Sequence, residues 1–108
     1  MTGEWTPAMV EARLEEAVSA GLGRRFHARA VEVWLSWLDP VDAGILRARA
    51  EGSPWKLICW RFGIGRATAH RRWQYGVSLI AWRLNGRQLP AKRSRRRFLE
   101  LARASTGM

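Results

Sequence analysis

A three-residue turn, Gly63-Ile64-Gly65, separates two short helical segments and constrains the fold more than any other feature of the chain. Residues 53–62 precede this turn and residues 66–85 follow it. Gly63 stands where the first helix must end in a left-handed residue, a conformation that glycine adopts without steric penalty. Gly65 occupies the N-cap position of the second helix, where Ser or Thr would be stronger. The pattern predicts a helix-turn-helix.

The residues around the turn suit two helices that cross closely. Apolar side chains recur at helical spacing on both sides of it, and Cys59 is small enough for the crossing point. The side chains that we expect to pack between the two helices are Ile58, Phe62, Ile64 and Ala69.

Other helix breakers divide the rest of the chain into segments of ordinary helical length. Thr6-Pro7, Asp39-Pro40 and Ser53-Pro54 each place a capping residue before a proline at the first helical position. No segment alternates polar and apolar residues over the length of a strand, so the predicted fold class is all-α with about five helices. The helices are predicted from Pro7 to about Ala20, Arg24 to Leu38, Pro40 to about Ala50, Pro54 to Phe62, and Arg66 to about Asn85.

Helical periodicity also predicts which side chains enter the core. The first helix carries one apolar stripe and the second helix carries another. The first stripe comprises Val10, Leu14, Ala17 and Val18, and the second comprises Phe26, Ala30, Val33, Trp34 and Trp37.

The length of 108 residues suits a single domain. We expect one helical domain at 1–90, with the helix-turn-helix at about 53–85, and a basic tail with a short amphipathic stretch at 91–108. The single Cys59 cannot form an internal disulfide, and no apolar run reaches the length that spans a bilayer. The first residues also lack the pattern of a signal peptide, so we expect a cytoplasmic protein.

Charge is distributed unevenly along the chain. Residues 1–50 hold seven acidic and six basic side chains, a net charge of −1, whereas residues 51–108 hold two acidic and thirteen basic side chains, a net charge of +11. This asymmetry indicates a polyanionic partner for the second half.

The second helix of the motif carries the residue types that read DNA. Forked guanidinium groups suit guanine edges and a glutamine amide suits adenine. Residues spaced by one, three and four positions share the helix face opposite the core. We expect Arg66, Ala67, His70, Arg71 and Gln74 to face the bases of double-stranded DNA, and Lys56, Thr68 and Arg72 to contact phosphates.

The motif Ile58-Cys59-x-x-Phe62-Gly63-Ile64-x-x-x-Thr68-Ala69-x-x-Arg72 resembles the promoter-reading helix-turn-helix (region 4) of bacterial sigma factors. The longer run from Trp55 to Arg87 is similar to small helix-turn-helix proteins of alphaproteobacterial prophages. The resemblance implies a DNA-binding transcription regulator whose base-facing residues are Arg66, His70, Arg71 and Gln74. The chain departs from a complete sigma factor, because it contains no recognisable region for promoter melting.

The basic tail forms a second candidate contact with DNA. We expect a flexible arm that tracks phosphates or enters the minor groove without choosing a sequence. Its basic residues are Lys92, Arg93, Arg95, Arg96 and Arg97.

The residues needed for catalysis or metal binding do not occur in a recognisable pattern. His27 and His70 are far apart, and one cysteine with no spaced carboxylates supplies no ligand set. No serine or threonine has a recognisable base nearby in sequence. We therefore expect neither an enzyme nor a protein with a metal or other cofactor.

Two questions about partners stay open at the level of the sequence. A homodimer could form through the stripe Trp34–Leu38 or through the last predicted helix. The alternative functions are a regulator that binds RNA polymerase or another transcription protein without a DNA site of its own, and an architectural or packaging component of a phage. Of the seven tryptophans, we expect Trp55 and Trp60 to be partly exposed.

Overall fold

A computed structural model describes residues 4–19 and 25–87, and the side chains of Ser19 and of residues 25–28 are excepted. Within these ranges the protein consists of five α-helices and contains no strand, so the predicted all-α class is confirmed. The helices are α1 (Pro7–Ser19), α2 (Arg25–Ser36), α3 (Pro40–Ala50), α4 (Trp55–Phe62) and α5 (Arg66–Leu84). None of the described helices is long and apolar enough to cross a bilayer.

Local capping fixes the start of the helices, as predicted for α1 and α3. The Thr6 hydroxyl accepts a hydrogen bond from the Met9 amide at 3.2 Å, and the Asp39 carboxylate accepts one from the Asp42 amide at 2.9 Å. The predicted Ser53 cap of α4 is wrong, because α4 begins at Trp55 and Pro54 takes the N-cap position without a side-chain hydrogen bond.

Helix α5 is the central element of the fold and packs against α1, α3 and α4. Gly76 lies where α5 comes closest to α3, and a Cβ placed there would stand 2.7 Å from Leu46 Cδ1. The main core forms between α1, α2, α3 and the second half of α5. Its buried residues are Val10, Leu14, Val31, Trp34, Leu35, Leu38, Leu46, Val77, Leu79, Ile80 and Ala81.

A smaller core joins the helix-turn-helix to α3. Ile45, Ala48 and Ile58 are buried in it, and Phe62 and Ile64 pack against them. Ala69 is also fully buried. The four side chains that were expected to pack between the two helices of the motif are therefore buried or partly buried, as predicted.

The predicted stripe of α2 is wrong in part. Ala30 is exposed and Val33 is 51% exposed, whereas Val31 and Leu35 are buried beside Trp34. The helix presents apolar residues on two sides, and contact with α1 and α3 selects the side that contains Val31. In α1, Val18 is likewise exposed at 41% rather than part of the core.

The ends of the described fold are joined by polar contacts across the whole chain. The Asn85 side chain accepts a hydrogen bond from the Trp5 amide at 2.7 Å and donates one to the Trp5 carbonyl at 3.0 Å. Arg87 pairs with Glu4 at 2.7 Å. These contacts hold the start of α1 against the end of α5.

A bidentate ion pair joins α2 to α3 on the surface. Arg47 donates two hydrogen bonds to the Glu32 carboxylate, each at 3.0 Å. These bonds hold the pKa of Glu32 below its ordinary value and raise that of Arg47.

Gly63→Ala should lower the free energy of unfolding by about 1–2 kcal/mol. Gly63 has a φ of +66°, and alanine adopts this left-handed backbone conformation only with steric strain from its Cβ. Crowding does not contribute, since a Cβ at this position would meet no atom within 4 Å. Gly65→Ala is the matched control, because that position is equally open but has a φ of −75°, so its smaller expected loss comes only from the poorer capping by alanine at an N-cap. Urea unfolding followed by tryptophan fluorescence measures both variants, and equal losses would contradict the assignment of the left-handed turn.

Candidate nucleic-acid interface

The turn between α4 and α5 has the geometry that the two glycines predict. The Cys59 carbonyl accepts hydrogen bonds from the amides of Gly63 and Ile64, the second at 3.1 Å. Gly65 is extended and forms the N-cap of α5 without a side-chain hydrogen bond. The chain therefore passes from α4 to α5 within three residues, and residues 66–72 of α5 do not belong to the main core.

The two halves of α5 have different surroundings. From Gly76 onward the helix is mostly buried in the main core. Over residues 66–75 only Ala69 is fully buried, and the opposite side of the helix is open. An α-helix rises 1.5 Å per residue, so this open part is about 15 Å long, which suits insertion of a helix N-terminus into a major groove about 12 Å wide.

The exposed side of this half of α5 contains most of the predicted base-facing residues. Four of them are exposed together and the fifth, Gln74, is half-buried on the same side. Thr68 is half-buried beside Arg71, whose Nη2 lies 3.4 Å from the Thr68 hydroxyl. The four exposed residues are Arg66, Ala67, His70 and Arg71.

His70 contacts two tryptophans at the junction of α4 and α5, and the two tryptophans also contact each other. Its ring centroid lies 5.1 Å from that of Trp55 and 5.8 Å from that of Trp73. Trp55 in turn lies beneath the guanidinium of Arg49 at 4.7 Å. Trp73 packs against both hydrophobic cores. The exposed imidazole is therefore fixed in place by aromatic contacts.

The predicted phosphate-contacting residues occupy three different environments. Lys56 is exposed in the first turn of α4, and Thr68 adjoins the exposed face of α5. Arg72 is paired within the fold: its Nη1 lies 2.8 Å from the buried Asp42 carboxylate and 3.7 Å from Asp39. This pairing gives Arg72 a role in joining α5 to the start of α3, and its contact with a phosphate stays a prediction.

The stretch of sequence that contains the open face is basic. No aspartate or glutamate occurs between Gly52 and Leu99, while seven basic residues occur between Gly52 and Arg87. The five basic tail residues that were predicted to bind DNA, Lys92, Arg93, Arg95, Arg96 and Arg97, lie outside the described residues.

Residues 27–80 match the family described as a domain of unknown function, DUF6362, and this match spans half of the chain. The chain belongs to the DUF6362 family. No curated protein and no solved structure matches it. The DUF6362 region includes all of α3 and α4 and the exposed turns of α5. It also includes Ile45 and Ala48, the residues of α3 that form the smaller core with the helix-turn-helix.

Two features of this DUF6362 site were missed by sequence reasoning. The partner of Arg72 is thirty residues away in the chain, and no local pattern points to Asp42. The spacing of Arg72 from Ala69 does place it beside the core side of α5, which is a signal against a DNA contact. The contact between Trp55 and His70 had no signal, because it depends on how α4 and α5 pack.

Arg72→Met should lower the free energy of unfolding by about 3 kcal/mol, because it leaves the Asp42 carboxylate buried without its cation. Arg71→Met is the matched control and should change stability by less than about 0.5 kcal/mol, since Arg71 is exposed. Urea unfolding measures both. A variant at Arg72 with unchanged stability and weakened DNA binding would instead support the phosphate contact predicted from sequence.

Proposed function

We propose that this protein is a sequence-specific regulator of transcription, of phage or prophage type, that binds double-stranded DNA with the first half of α5 in the major groove. The observation that carries the proposal is the exposed basic face of residues 66–71 directly after a glycine turn. A helix-turn-helix places the N-terminal residues of its second helix against base edges in this way. The protein would then reside in the cytoplasm, on the nucleoid.

The side chains divide into two roles in this proposal. Arg66 and Arg71 can each donate two hydrogen bonds to guanine, and Gln74 can pair with adenine. His70, held by its tryptophans, adds a rigid contact at the edge of the same face. Lys56 and Thr68 contact phosphates and fix the register of the helix on the duplex.

The number of protein molecules that bind together on DNA determines how many base pairs are recognised. One short helix reads few base pairs, so a helix-turn-helix regulator gains specificity as a dimer on two half-sites. The stripe Trp34–Leu38, one of the two surfaces predicted for such a dimer, is unavailable because Trp34, Leu35 and Leu38 are buried within one chain. The second half of α5 is mostly buried as well. A dimer would therefore use another surface.

The double variant Arg66→Ala, Arg71→Ala should strongly reduce sequence preference, with Gln74 left as the remaining side chain that pairs with a base. Each lost guanine contact should cost about 1–3 kcal/mol on the preferred sequence and much less on others. The preferred sequence comes from recovery of bound genomic DNA, and fluorescence anisotropy on that duplex and on a scrambled duplex measures the affinities.

Arg29→Ala, an exposed arginine on α2, is the control for loss of charge alone. It should weaken both duplexes slightly and equally. Equal losses on both duplexes for the double variant would contradict direct reading of bases by α5.

Neutralising Lys92, Arg93, Arg95, Arg96 and Arg97 to alanine should weaken preferred and scrambled duplexes by the same factor. It should also flatten the dependence of affinity on salt, because each lost phosphate contact removes nearly one unit from the slope of log affinity against log salt concentration. Anisotropy at several salt concentrations measures this slope. An unchanged slope would show that the tail does not contact DNA.

A further inference from the structure

Helix α4 presents a second surface on the side that faces away from α5. A groove of about 240 Å³ lies there between the end of α3 and the outer side of α4. We call it the α4 groove; the residues that line it are Ala48, Ser53, Leu57, Ile58, Trp60 and Arg61.

The α4 groove exposes large apolar side chains that no other described residue covers. Trp60 is 84% exposed and Leu57 is 55% exposed, whereas the other described tryptophans are buried or half-buried. Exposed apolar residues that adjoin one another next to a groove mark surfaces that bind a partner. Tryptophan and arginine are also the residues that most often dominate the binding energy of protein interfaces.

The rim of the α4 groove is basic. Arg61 lines it and Lys56 is exposed on the same outer side of α4. The nearest acidic residue along the chain is Glu51, before the turn that leads into α4, and none follows until Glu100. A partner for this surface needs apolar side chains for Leu57 and Trp60 and carboxylates for the rim.

We propose that the α4 groove binds an acidic amphipathic helix of another protein. Such a helix would place its apolar stripe along Leu57 and Trp60 and its carboxylates beside Lys56 and Arg61. This surface lies on a different helix from the exposed face of α5, so the inference goes beyond the proposed DNA binding and does not rest on it.

Charge and packing favour this occupant over the two other candidates. The acidic helix of a second copy would have to be α1, but its apolar stripe, including Val10 and Leu14, is buried in its own core. DNA would satisfy the basic rim, but it offers no apolar surface that rewards burial of Leu57.

The test uses the full chain and a fluorescein-labelled 18-residue peptide with leucines at helical spacing on one side and glutamates on the other. We expect anisotropy to report saturable binding, weakened about tenfold or more by Trp60→Ala and by Arg61→Glu. Two matched controls, Val33→Ala and Arg29→Glu on α2, should bind as the unchanged chain does. Trp60→Ala should fold normally, because the side chain is largely exposed.

Two control peptides separate groove binding from simple charge attraction. One has the same composition in scrambled order, and the other has lysine in place of glutamate. Equal binding of the scrambled or lysine peptide, no binding of any peptide, or no effect of Trp60→Ala would overturn the proposal.

Two further measurements test the other occupants. DNA affinity that falls with Trp60→Ala as strongly as peptide affinity would assign the groove to DNA. A dimer in sedimentation that Trp60→Ala dissociates would assign it to a second copy. Either result would overturn the acidic-helix proposal, and loss of DNA binding in the Arg66, Arg71 variant would leave it intact.

Discussion

Arg72 on α5 pairs with the buried carboxylate of Asp42 on α3, and this contact constrains which side of α5 faces α3. Asp42 stands in the first turn of α3, where the Asp39 cap holds the helix start. A buried carboxylate without a cation is strongly unfavourable, which ties Arg72 to this side of the helix. Because residues two positions apart lie on nearly opposite sides of an α-helix, holding Arg72 inward places His70 and Gln74 on the opposite side.

The length of α5 lets one helix serve the core and the exposed face together. Its second half is buried against α1 and α3, and that burial supplies the apolar area that a two-turn recognition segment lacks. Trp73 lies at the boundary and packs against both hydrophobic cores. Helices α1 and α3 thereby form the scaffold that holds α5 in place.

Features that depend on residues close together in the sequence could be predicted, whereas features that depend on contacts between distant residues could not. Thr6, Asp39 and Gly63 act within four or five residues, so the sequence pattern alone located two helix starts and the turn. The stripe of α2 was predicted incorrectly around Val33, because that helix has apolar residues on two sides and only packing against α1 and α3 selects one. The role of Arg72 was missed for a similar reason: a basic residue within a basic segment looks like a DNA contact until its distant carboxylate partner is known.

The helix-turn-helix presents two surfaces of different chemistry, and a shared cation has a consequence for how they would work. The exposed part of α5 offers arginines and no large apolar side chain, whereas the outer side of α4 offers Trp60 and Leu57 beside two cations. Both surfaces adjoin the small core of Ile45, Ala48 and Ile58, against which Phe62 of α4 and Trp73 of α5 also pack. The two surfaces share Lys56, which is proposed both as a phosphate contact and as a cation beside the α4 groove. Bound DNA and a bound acidic helix should therefore weaken each other's affinity, and by linkage the factor is the same in both directions.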